Sequence, residues 1–217
     1  PDGQWVVYWA ENDKGELGLY SVPMTGGIPI WLGDGLPQSE SYQITPDSRY
    51  VLFVAAREMG VEAPLELYRV PVQGGAAIQL SQAALARANA KFLITPDSQS
   101  VIFGNLYRVS INGGPAEQLN PIADIKQPYF PFLSTPELSA DGRWVIFLNG
   151  EHWGDGVSLY GAPLAGGSTR QLNGPLAEGE SVQGFFLSLD SQRVYYWQGG
   201  IDQEHPTMPV YAVRLAG

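Results

Sequence analysis

The chain has 217 residues, a formal net charge of −10 and no cysteine. This charge excludes a duplex nucleic-acid binder, which needs a basic stripe to displace counterions, and the lack of cysteine excludes disulfides and thiolate metal sites. Glycine (26) and proline (17) are frequent and only 16% of the residues are charged, which favours many short strands joined by tight turns, and no apolar run is long enough to predict membrane insertion.

One short pattern returns five times along the chain. An Asp followed by Gly or Ser begins each copy, at intervals of 45, 50, 44 and 49 residues, and a Val four residues later opens an apolar triplet such as "VVY" or "VLF". An Asp side chain can hydrogen-bond its own backbone across a tight turn. We therefore predict structural turns at Asp2, Asp47, Asp97, Asp141 and Asp190.

A second phrase, such as "LYSVPMTGG" or "LYRVPVQGG", follows every triplet. Its first Gly comes six residues after its Tyr, and in four copies a Leu comes six residues after that Gly. A Gly pair supplies the positive φ that a hairpin turn needs. We therefore predict turns at Gly26, Gly74, Gly113 and Gly166.

Taken in chain order, each unit reads as strand A, the Asp turn, strand B, a hairpin, strand C, the Gly turn and strand D. Strand A is predicted from "SYQIT", "KFLIT", "PELS" and "FFLS", strand B from the triplet, and strand C from the Leu-Tyr run. Strand D ends at Leu32, Leu80, Leu119 or Leu172. A four-stranded unit repeating every 40 to 50 residues or so is typical of a propeller blade. The predicted fold is all-β, a β-propeller of four-stranded antiparallel blades.

The pattern [Ile/Leu]-[Ser/Thr]-x-Asp-[Gly/Ser], followed by an apolar strand and Leu-Tyr-x5-Gly, resembles the TolB-type (WD-repeat-like) β-propeller repeat. The resemblance covers essentially the whole chain, and similar blades occur in the propeller domains of prolyl-oligopeptidase-like and tricorn-like peptidases. We predict one propeller domain over residues 1–217, with units at about 1–39, 40–90, 91–132, 133–182 and 183–217.

Five B and five C strands are predicted, but only four A and four D strands. Propellers usually close by letting one end of the chain complete the blade that the other end begins. We therefore expect residues missing at both ends and a native molecule with more than five blades, as part of a longer chain. The alternative is a five-bladed ring with one defective blade.

The third unit is short between its B and C strands. Five residues separate Val101 from Leu106, where the other units have 13 to 16 at this place. The stretch "VIFGNLYRV" is expected to leave no room for two strands and a turn. We favour a loop missing between Gly104 and Asn105 over a blade that lacks a proper hairpin.

Length variation is confined to the B–C hairpins and the D–A connections, which lie at the same end of a four-stranded meander. Variable loops on a rigid scaffold are where binding normally occurs, and we call this end the variable-loop face. Its predicted binding residues are Glu151, His152, Trp153, Asp155, Glu204, His205, Tyr129 and Phe130. Further loop carboxylates are Glu11, Asp13, Glu16, Glu178 and Glu180. The A strands are expected to line the central channel with Tyr42, Lys91, Gln183 and Phe185.

No cofactor or metal site is predicted. Both histidines fall in Glu-His pairs, but spacing supplies no third ligand, so solvated hairpins are favoured over a divalent-cation site. There is no G-x-S-x-G elbow and no phosphate-binding glycine loop. A carboxylate pair for glycoside hydrolysis stays open, since no spacing marks a particular pair.

The favoured function is a non-catalytic binding or scaffold module that recognises a protein, peptide or glycan through the variable-loop face, as the TolB resemblance implies. The alternative is the gating propeller of a larger prolyl-oligopeptidase-like serine peptidase, whose nucleophile lies outside these residues. A stand-alone hydrolase or lyase acting in the channel is a third reading, and it would need clustered carboxylates with shifted pKa values. The resemblance and the acidic, cysteine-free composition imply a bacterial protein located in the periplasm or secreted.

Overall fold

A computed structural model describes residues 1–15, 17–33, 41–56, 65–81, 91–104, 106–119, 136–150, 156–200 and 208–215. The regular structure of these residues is entirely β-strand. Among them there is no helix that is long and apolar enough to cross a membrane.

The strands form five antiparallel sheets, which we call blades 1 to 5. Blade 1 contains β1 (Trp5–Glu11), β2 (Leu17–Pro23) and β3 (Ile30–Gly33). Blade 2 contains β4 (Tyr42–Ile44), β5 (Tyr50–Ala56), β6 (Leu65–Pro71) and β7 (Ile78–Gln79), and blade 3 contains β8 (Phe92–Ile94), β9 (Ser100–Phe103), β10 (Tyr107–Ser110) and β11 (Glu117–Gln118). Blade 4 contains β12 (Glu137–Leu138), β13 (Trp144–Asn149), β14 (Ser158–Pro163) and β15 (Arg170–Gln171), and blade 5 contains β16 (Glu180–Leu187), β17 (Arg193–Gly200) and β18 (Val210–Arg214).

Each blade is a meander in which consecutive strands pair side by side. Blades 2 to 4 have the full A–B–C–D order, while the described part of blade 1 begins with its B strand and that of blade 5 ends with its C strand. The predicted all-β fold and the assignment of its strands are therefore confirmed.

The chain divides into two compact units, Pro1–Gln118 with blades 1 to 3 and Leu119–Gly217 with blades 4 and 5. The single domain expected over residues 1–217 stays a prediction.

The hydrophobic core lies between successive blades of each unit. In the first unit, Leu67 of blade 2 packs in one cluster with Val101 and Phe103 of blade 3. In the second unit, Leu159 of blade 4 lies in the equivalent cluster with Val194 of blade 5. The repeated Leu and Val thus form the two sides of each interface, and their burial removes apolar surface from water.

A stacked aromatic pair joins strands B and C in every blade, between residues that lie directly opposite each other. The pairs, with the distances between ring centroids, are Tyr8–Tyr20 (5.9 Å), Phe53–Tyr68 (5.5 Å), Phe103–Tyr107 (6.1 Å), Phe147–Tyr160 (5.8 Å) and Tyr196–Tyr211 (5.3 Å). Such pairs contribute about 0.5–1.5 kcal/mol beyond the area they bury. This pairing explains why both repeated phrases contain an aromatic residue.

A network of side-chain hydrogen bonds closes the turn between strands A and B. In blade 2, the Thr45 hydroxyl donates to Asp47 Oδ1 (2.5 Å) and accepts from Tyr50 N (3.0 Å), while Arg49 N donates to Asp47 Oδ1 (3.1 Å). The same contacts recur around Asp97, Asp141 and Asp190. The hydroxyl residue two positions before Asp is therefore part of the turn, a role that the sequence analysis did not assign.

Three of these turns also connect neighbouring blades. Ser48, Ser98 and Ser191 follow the turn Asp, and each adopts a left-handed φ of 58° to 61°. Each serine Oγ accepts a hydrogen bond from the turn Asp N–H of the preceding blade: Asp2 to Ser48 (3.0 Å), Asp47 to Ser98 (3.0 Å) and Asp141 to Ser191 (3.2 Å). We call these contacts the serine clasps.

Replacing Ser98 with alanine should destabilise the protein by about 1–2 kcal/mol, because the part-buried hydrogen bond from Asp47 N–H to the buried Ser98 hydroxyl is then lost. Ser98→Gly also removes the hydroxyl, but glycine relieves the left-handed backbone, which costs a non-glycine residue about 1–2 kcal/mol. We therefore expect urea denaturation to rank the parent first, then Ser98→Gly, then Ser98→Ala. Equal stability of the alanine variant and the parent would contradict the clasp.

The Gly turns between strands C and D have the predicted positive φ, which is 87° at Gly26, 86° at Gly74, 84° at Gly113 and 91° at Gly166. In blade 2, Gly74 N donates to Pro71 O (2.9 Å) and closes the turn. A side chain at these positions would be strained whatever space surrounds it.

The short third unit forms a complete hairpin, so the expectation that it lacks room was wrong. Strands β9 and β10 pair antiparallel from Phe103 opposite Tyr107, which leaves only residues 104–106 in the loop. The tight reversal needs left-handed backbone at Gly104 (φ 53°) and Leu106 (φ 61°). A buried Leu in this conformation is a strained backbone position. The loop expected between Gly104 and Asn105 stays a prediction.

Candidate functional site

All eight predicted binding residues, at positions 129, 130, 151–153, 155, 204 and 205, lie outside the described residues. Their role stays a prediction. Parts of the variable-loop face are described in each unit, and they show how its neighbouring loops are built.

The β1–β2 hairpin of the first unit is organised by Asn12. Its Oδ1 accepts from Lys14 N (2.9 Å) and its carbonyl accepts from Gly15 N (2.9 Å), which is a side-chain-supported tight turn. The carboxylates of Glu11 and Asp13 are left exposed on this tip. Residue 16, the third predicted carboxylate of the loop, lies outside the described residues.

Trp9 and Tyr42 meet below this hairpin, where blade 1 faces blade 2. Their rings contact edge to face with centroids 6.3 Å apart, and Tyr42 Oη donates to Val7 O (3.1 Å). Trp9 Nε1 is buried without a hydrogen-bond partner in the described part of the chain. Tyr42 therefore fastens blade 2 to blade 1, where the sequence analysis expected it to line a channel.

Phe185 differs from its predicted role in the same way. It lies five residues before its turn Asp, as Tyr42 does, and strand alternation turns this position toward the preceding blade. Phe185 is therefore buried in the core between blades 4 and 5. Gln183 and Lys91 are exposed, and Gln183 Nε2 donates to Gly199 O (3.2 Å).

Three hydrogen bonds stabilise the connection from β15 to β16 in the second unit. Asn173 Oδ1 accepts from Leu159 N (2.8 Å), the Tyr196 hydroxyl accepts from Gly174 N (3.4 Å), and Glu180 Oε2 accepts from Ala177 N (3.1 Å). The Glu180 carboxylate thus supports the loop itself, and Glu178 is exposed beside it. No group of three His, Cys, Asp or Glu residues that could hold a metal ion is present among the described residues.

The acid groups with shifted pKa values are spread over separate turns and strands. Hydrogen bonds from the Thr95 hydroxyl and the Gln99 N–H hold the pKa of Asp97 below its usual value, and equivalent bonds from Ser188 and Gln192 lower the pKa of Asp190. Burial raises the pKa of Glu137 on the inner strand of blade 4, although its side chain keeps contact with solvent. These shifts accompany structural turns and packing, and they do not mark a catalytic pair.

The variants Asp97→Asn and Glu137→Gln should change the pH dependence of the free energy of unfolding in opposite directions. Because the folded pKa of Asp97 is lowered, this group stabilises the protein above its unfolded pKa of about 3.9 and loses that contribution as the pH falls through the folded pKa. Because the folded pKa of Glu137 is raised, this group stabilises the protein below its unfolded pKa of about 4.3. That contribution is lost as the pH rises through the folded pKa.

Urea denaturation at a series of pH values from about 3 to about 7 measures both effects on the free energy of unfolding. Asp97→Asn should reduce the loss of stability that the parent shows at the acid end. Glu137→Gln should become more stable than the parent as the pH rises. Parallel curves for the two variants would show that neither carboxyl has the assigned surroundings.

The sequence matches no protein-family model. It is similar to the probable dipeptidyl-peptidase 5 of Aspergillus flavus and to dipeptidyl-peptidase 5 of Aspergillus oryzae, at 26% identity over 252 residues. Each match covers 95% of this chain and 34% of the relative, so the chain spans about a third of the length of the curated relatives it matches. These relatives are fungal, and the expected bacterial source stays a prediction.

Solved structures resemble the chain over nearly its whole length. Dipeptidyl peptidase 4 of Porphyromonas gingivalis has a TM-score of 0.65 at 13% identity, over 99% of this chain and 37% of its own. The β-propeller domain of the Trilobed protease from Pyrococcus furiosus has a TM-score of 0.56 at 12% identity, over 99% of this chain and 69% of its own. TolB from Acinetobacter baumannii has a TM-score of 0.53 at 17% identity, over 98% of this chain and 50% of its own. At these identities the likeness shows the fold, which is a TolB-like β-propeller.

Proposed function

We propose that this chain is a non-catalytic propeller domain that binds peptide and works beside the catalytic domain of a peptidase of dipeptidyl-peptidase type. The observation that carries the proposal is the match to two dipeptidyl-peptidases, which extends over 95% of this chain but only 34% of each relative. A propeller of this kind restricts which substrates reach a neighbouring hydrolase site, and its variable-loop face supplies the contacts.

The described carboxylates support a binding role over a catalytic one. Asp47, Asp97 and Glu180 accept hydrogen bonds that close turns and loops, so they are already engaged in maintaining the scaffold. A general acid or base needs a titrating group within reach of substrate and beside a second catalytic group. The described residues contain carboxylates at turns but no such pair with shifted pKa values.

The second candidate is a stand-alone binding module that recognises a protein, peptide or glycan. The likeness to TolB, which extends over 98% of this chain, favours it. The two candidates differ in whether the same reading frame also encodes a hydrolase.

Expressing the complete reading frame that contains these residues separates them. A fluorophosphonate probe forms a covalent bond with an activated serine, so we expect the full-length product to be labelled and to cleave a dipeptidyl chromogenic substrate. The 217-residue chain alone should be neither labelled nor active. An unlabelled, inactive full-length product would contradict the peptidase proposal and favour the stand-alone binding module. Labelling of the 217-residue chain would contradict both candidates.

Trp153 is expected to anchor peptide at the variable-loop face, because an aromatic residue in a Gly-rich hairpin presents a large apolar surface at low entropic cost. Trp153→Ala in the full-length product should raise KM for the dipeptidyl substrate about tenfold, which corresponds to about 1.4 kcal/mol of binding, and leave kcat nearly unchanged. Ile28→Ala is the control, since Ile28 is 88% exposed beside a Gly turn at the other end of its blade. An unchanged KM would remove Trp153 from the site.

The proposal includes a location outside the cytoplasm, in the periplasm or the medium. The acidic, cysteine-free composition and the TolB-like fold support it. Cell fractionation of the source organism with an antibody against this chain tests it, and recovery from the cytoplasmic fraction would contradict it.

A further inference from the structure

Asparagine followed by glycine occurs three times in the sequence, at residues 112–113, 149–150 and 173–174. Asparagine is among the thermally labile residues of proteins. A following glycine leaves its own backbone nitrogen open to approach, because it has no Cβ atom. That nitrogen can attack the carbonyl carbon of the asparagine side chain, and the surroundings of each pair decide whether the two groups meet.

The side-chain amide of Asn173 is held at both ends. Its Oδ1 accepts from Leu159 N (2.8 Å), its Nδ2 donates to Gly174 O (2.8 Å), and the residue is only 8% exposed. Gly174 N in turn donates to the Tyr196 hydroxyl (3.4 Å). A bond between Gly174 N and this side chain would require the loss of all three hydrogen bonds in a buried place, so the fold protects the pair.

The second pair lies at the end of strand β13. Asn149 lies opposite Ser158 in the ladder with β14, and it is half-buried. A Cβ atom at Gly150 would lie 2.8 Å from Val157 Cα, so the two chains are in close contact at this point. Ring closure onto the side chain needs the backbone to bend at Asn149, whereas the pairing of β13 with β14 keeps it extended.

Asn112 lies in a different environment, the Gly turn of blade 3, where its side chain is exposed. The Gly turns of blades 1, 2 and 4 have other residues at this place, namely Thr25, Gln73 and Ala165. Gly113 N donates to Ser110 O (2.9 Å) and closes the turn. Exposed turns open locally at a small cost in free energy, and opening of this one frees the nitrogen for attack.

An arginine of the preceding blade contacts the Asn112 side chain. Arg69 Nη1 donates to Asn112 Oδ1 (3.4 Å), and the position of the guanidinium over the Tyr50 ring, with Cζ 4.1 Å from the centroid, fixes it there. A cation at a carbonyl oxygen stabilises the negative charge that develops on that oxygen when a nucleophile adds to the carbon. Arg69 therefore polarises the carbonyl group that the Gly113 nitrogen would attack.

We propose that Asn112 is a site of spontaneous deamidation. The Gly113 nitrogen loses its proton and forms a bond to Asn112 Cγ, while the Asn112 Nδ2 group takes up a proton and leaves as ammonia. Water then opens the resulting cyclic imide at one or the other of its carbonyl carbons, which yields aspartate or isoaspartate at position 112. Nothing is oxidised or reduced, and water is the only co-reactant.

Both products change the contact between blades 2 and 3. A carboxylate at position 112 would face the Arg69 guanidinium and form an ion pair with it, and it adds one negative charge to the formal net charge of −10. Isoaspartate also inserts a methylene group into the main chain of the turn, directly beside Ile111, which is buried in the core between these blades. The site involves no residue of the variable-loop face, and it stands independently of the function proposed above.

Incubation of the full-length product in mildly alkaline buffer, followed by trypsin digestion and mass spectrometry, measures the three rates together. Cleavage after lysine and arginine places the three asparagines on separate peptides, residues 109–126, 144–170 and 171–193. We expect Asn112 to convert at least about tenfold faster than Asn149 or Asn173, because an exposed turn opens more readily than a strand pair or a buried side chain. In urea the three rates should become similar, since each asparagine precedes a glycine.

A control variant assigns the change to Asn112. Asn112→Gln is compatible with the turn, because blade 2 has Gln73 at the same place, but its longer side chain must close a larger ring and should react far more slowly. An isoaspartyl methyltransferase supplied with S-adenosylmethionine should label peptide 109–126 of the aged parent and not that of the variant. Asn120 in the same peptide precedes Pro121, whose nitrogen has no proton to lose.

Three results would overturn the proposal. A rate at Asn112 no greater than at the other two sites of the folded protein would show that its turn protects it as well as a strand pair protects Asn149. Equal labelling of peptide 109–126 in the parent and in Asn112→Gln would place the modification at another residue. No conversion of Asn112 in either the folded or the urea-unfolded protein would show that the pair does not react.

Discussion

Replacing Gly184 with alanine should destabilise the Leu119–Gly217 unit by about 2–3 kcal/mol. Gly184 on β16 lies opposite Trp197 on β17, and the indole ring covers the glycine. A Cβ atom at position 184 would lie 2.2 Å from Trp197 Cζ2. No side chain tolerates that distance, so the ring must leave its position against the strand.

The register around Gly184 limits how the strand can respond. The pairing of β16 with β17 shifts between Val182 and Gly184, which places an extra residue in β16 at this point. A β-bulge of this kind fixes the local twist and the direction of the neighbouring side chains. Val182 and Phe185, on either side, are buried in the core, so the strand cannot move away from Trp197 without disturbing both.

Urea denaturation followed by tryptophan fluorescence measures the loss, and Gly174→Ala is the matched control. Gly174 belongs to the same unit, and a Cβ atom there would meet nothing within 4 Å. We expect Gly174→Ala to be neutral or to stabilise slightly, because it restricts the unfolded chain. If Gly184→Ala matched this control, the packing of Trp197 on Gly184 would be wrong.

Replacing Arg170 with alanine should destabilise the same unit by about 3 kcal/mol. The Arg170 guanidinium lies over the Trp144 ring, with Cζ 4.7 Å from the ring centroid, and one of its nitrogens donates to the Leu215 carbonyl in blade 5. A cation–π contact contributes about 0.5–1 kcal/mol when exposed and about 2 kcal/mol when desolvated, and Arg170 and Trp144 are both half-buried. Removing the donor also leaves the carbonyl of the fully buried Leu215 without this partner.

Two further variants separate the charge of Arg170 from its shape. Arg170→Lys keeps the cation but loses the planar group that stacks on the indole and reaches blade 5, so an intermediate loss of about 1–2 kcal/mol is expected. Arg143→Ala is the control, since Arg143 is an exposed arginine of the same unit, and its loss should stay within about 0.5 kcal/mol. A loss for Arg170→Ala no greater than that of Arg143→Ala would show that the stack contributes nothing.

The first unit builds the same kind of contact from a different place in the repeat. Arg69 lies over Tyr50 with Cζ 4.1 Å from the ring centroid, and its guanidinium donates to Asn112 Oδ1 of blade 3 (3.4 Å). Arg69 belongs to the C strand β6, whereas Arg170 belongs to the D strand β15. Each arginine lies over the aromatic residue that precedes the B-strand Val of its own blade and donates a hydrogen bond to the next blade, although the two arginines are not equivalent in the alignment of the units.

The serine clasps show a similar limit of sequence reasoning. The repeat contains Asp-Ser in three units and Asp-Gly in two, and both Ser and Gly fit a turn. Only the structure shows that Ser98 Oγ accepts from Asp47 N, 51 residues away in the chain. A hydrogen bond between blades depends on how two sheets are placed, which no local pattern specifies.

The short hairpin of blade 3 is the reverse case. The longer loops of the other units predict that five residues are too few for a hairpin here, and the pairing of β9 with β10 shows that this prediction is wrong. A left-handed Leu106 beside Gly104 closes the chain in three residues, at a cost in backbone strain. The backbone conformation of a single residue decides this point, and residue type alone did not indicate it.

The sequence by itself determined the repeat, the order of strands and the positions of the turns. These follow from local causes: an Asp that bonds its own backbone, glycines at positive φ, and alternating apolar residues that need one buried face. The tertiary structure decided which side chains meet across strands and blades: the serine clasps, the arginine–aromatic stacks and the Gly184–Trp197 contact. Each of these depends on the distance between atoms in separate strands or sheets, which no local sequence pattern specifies.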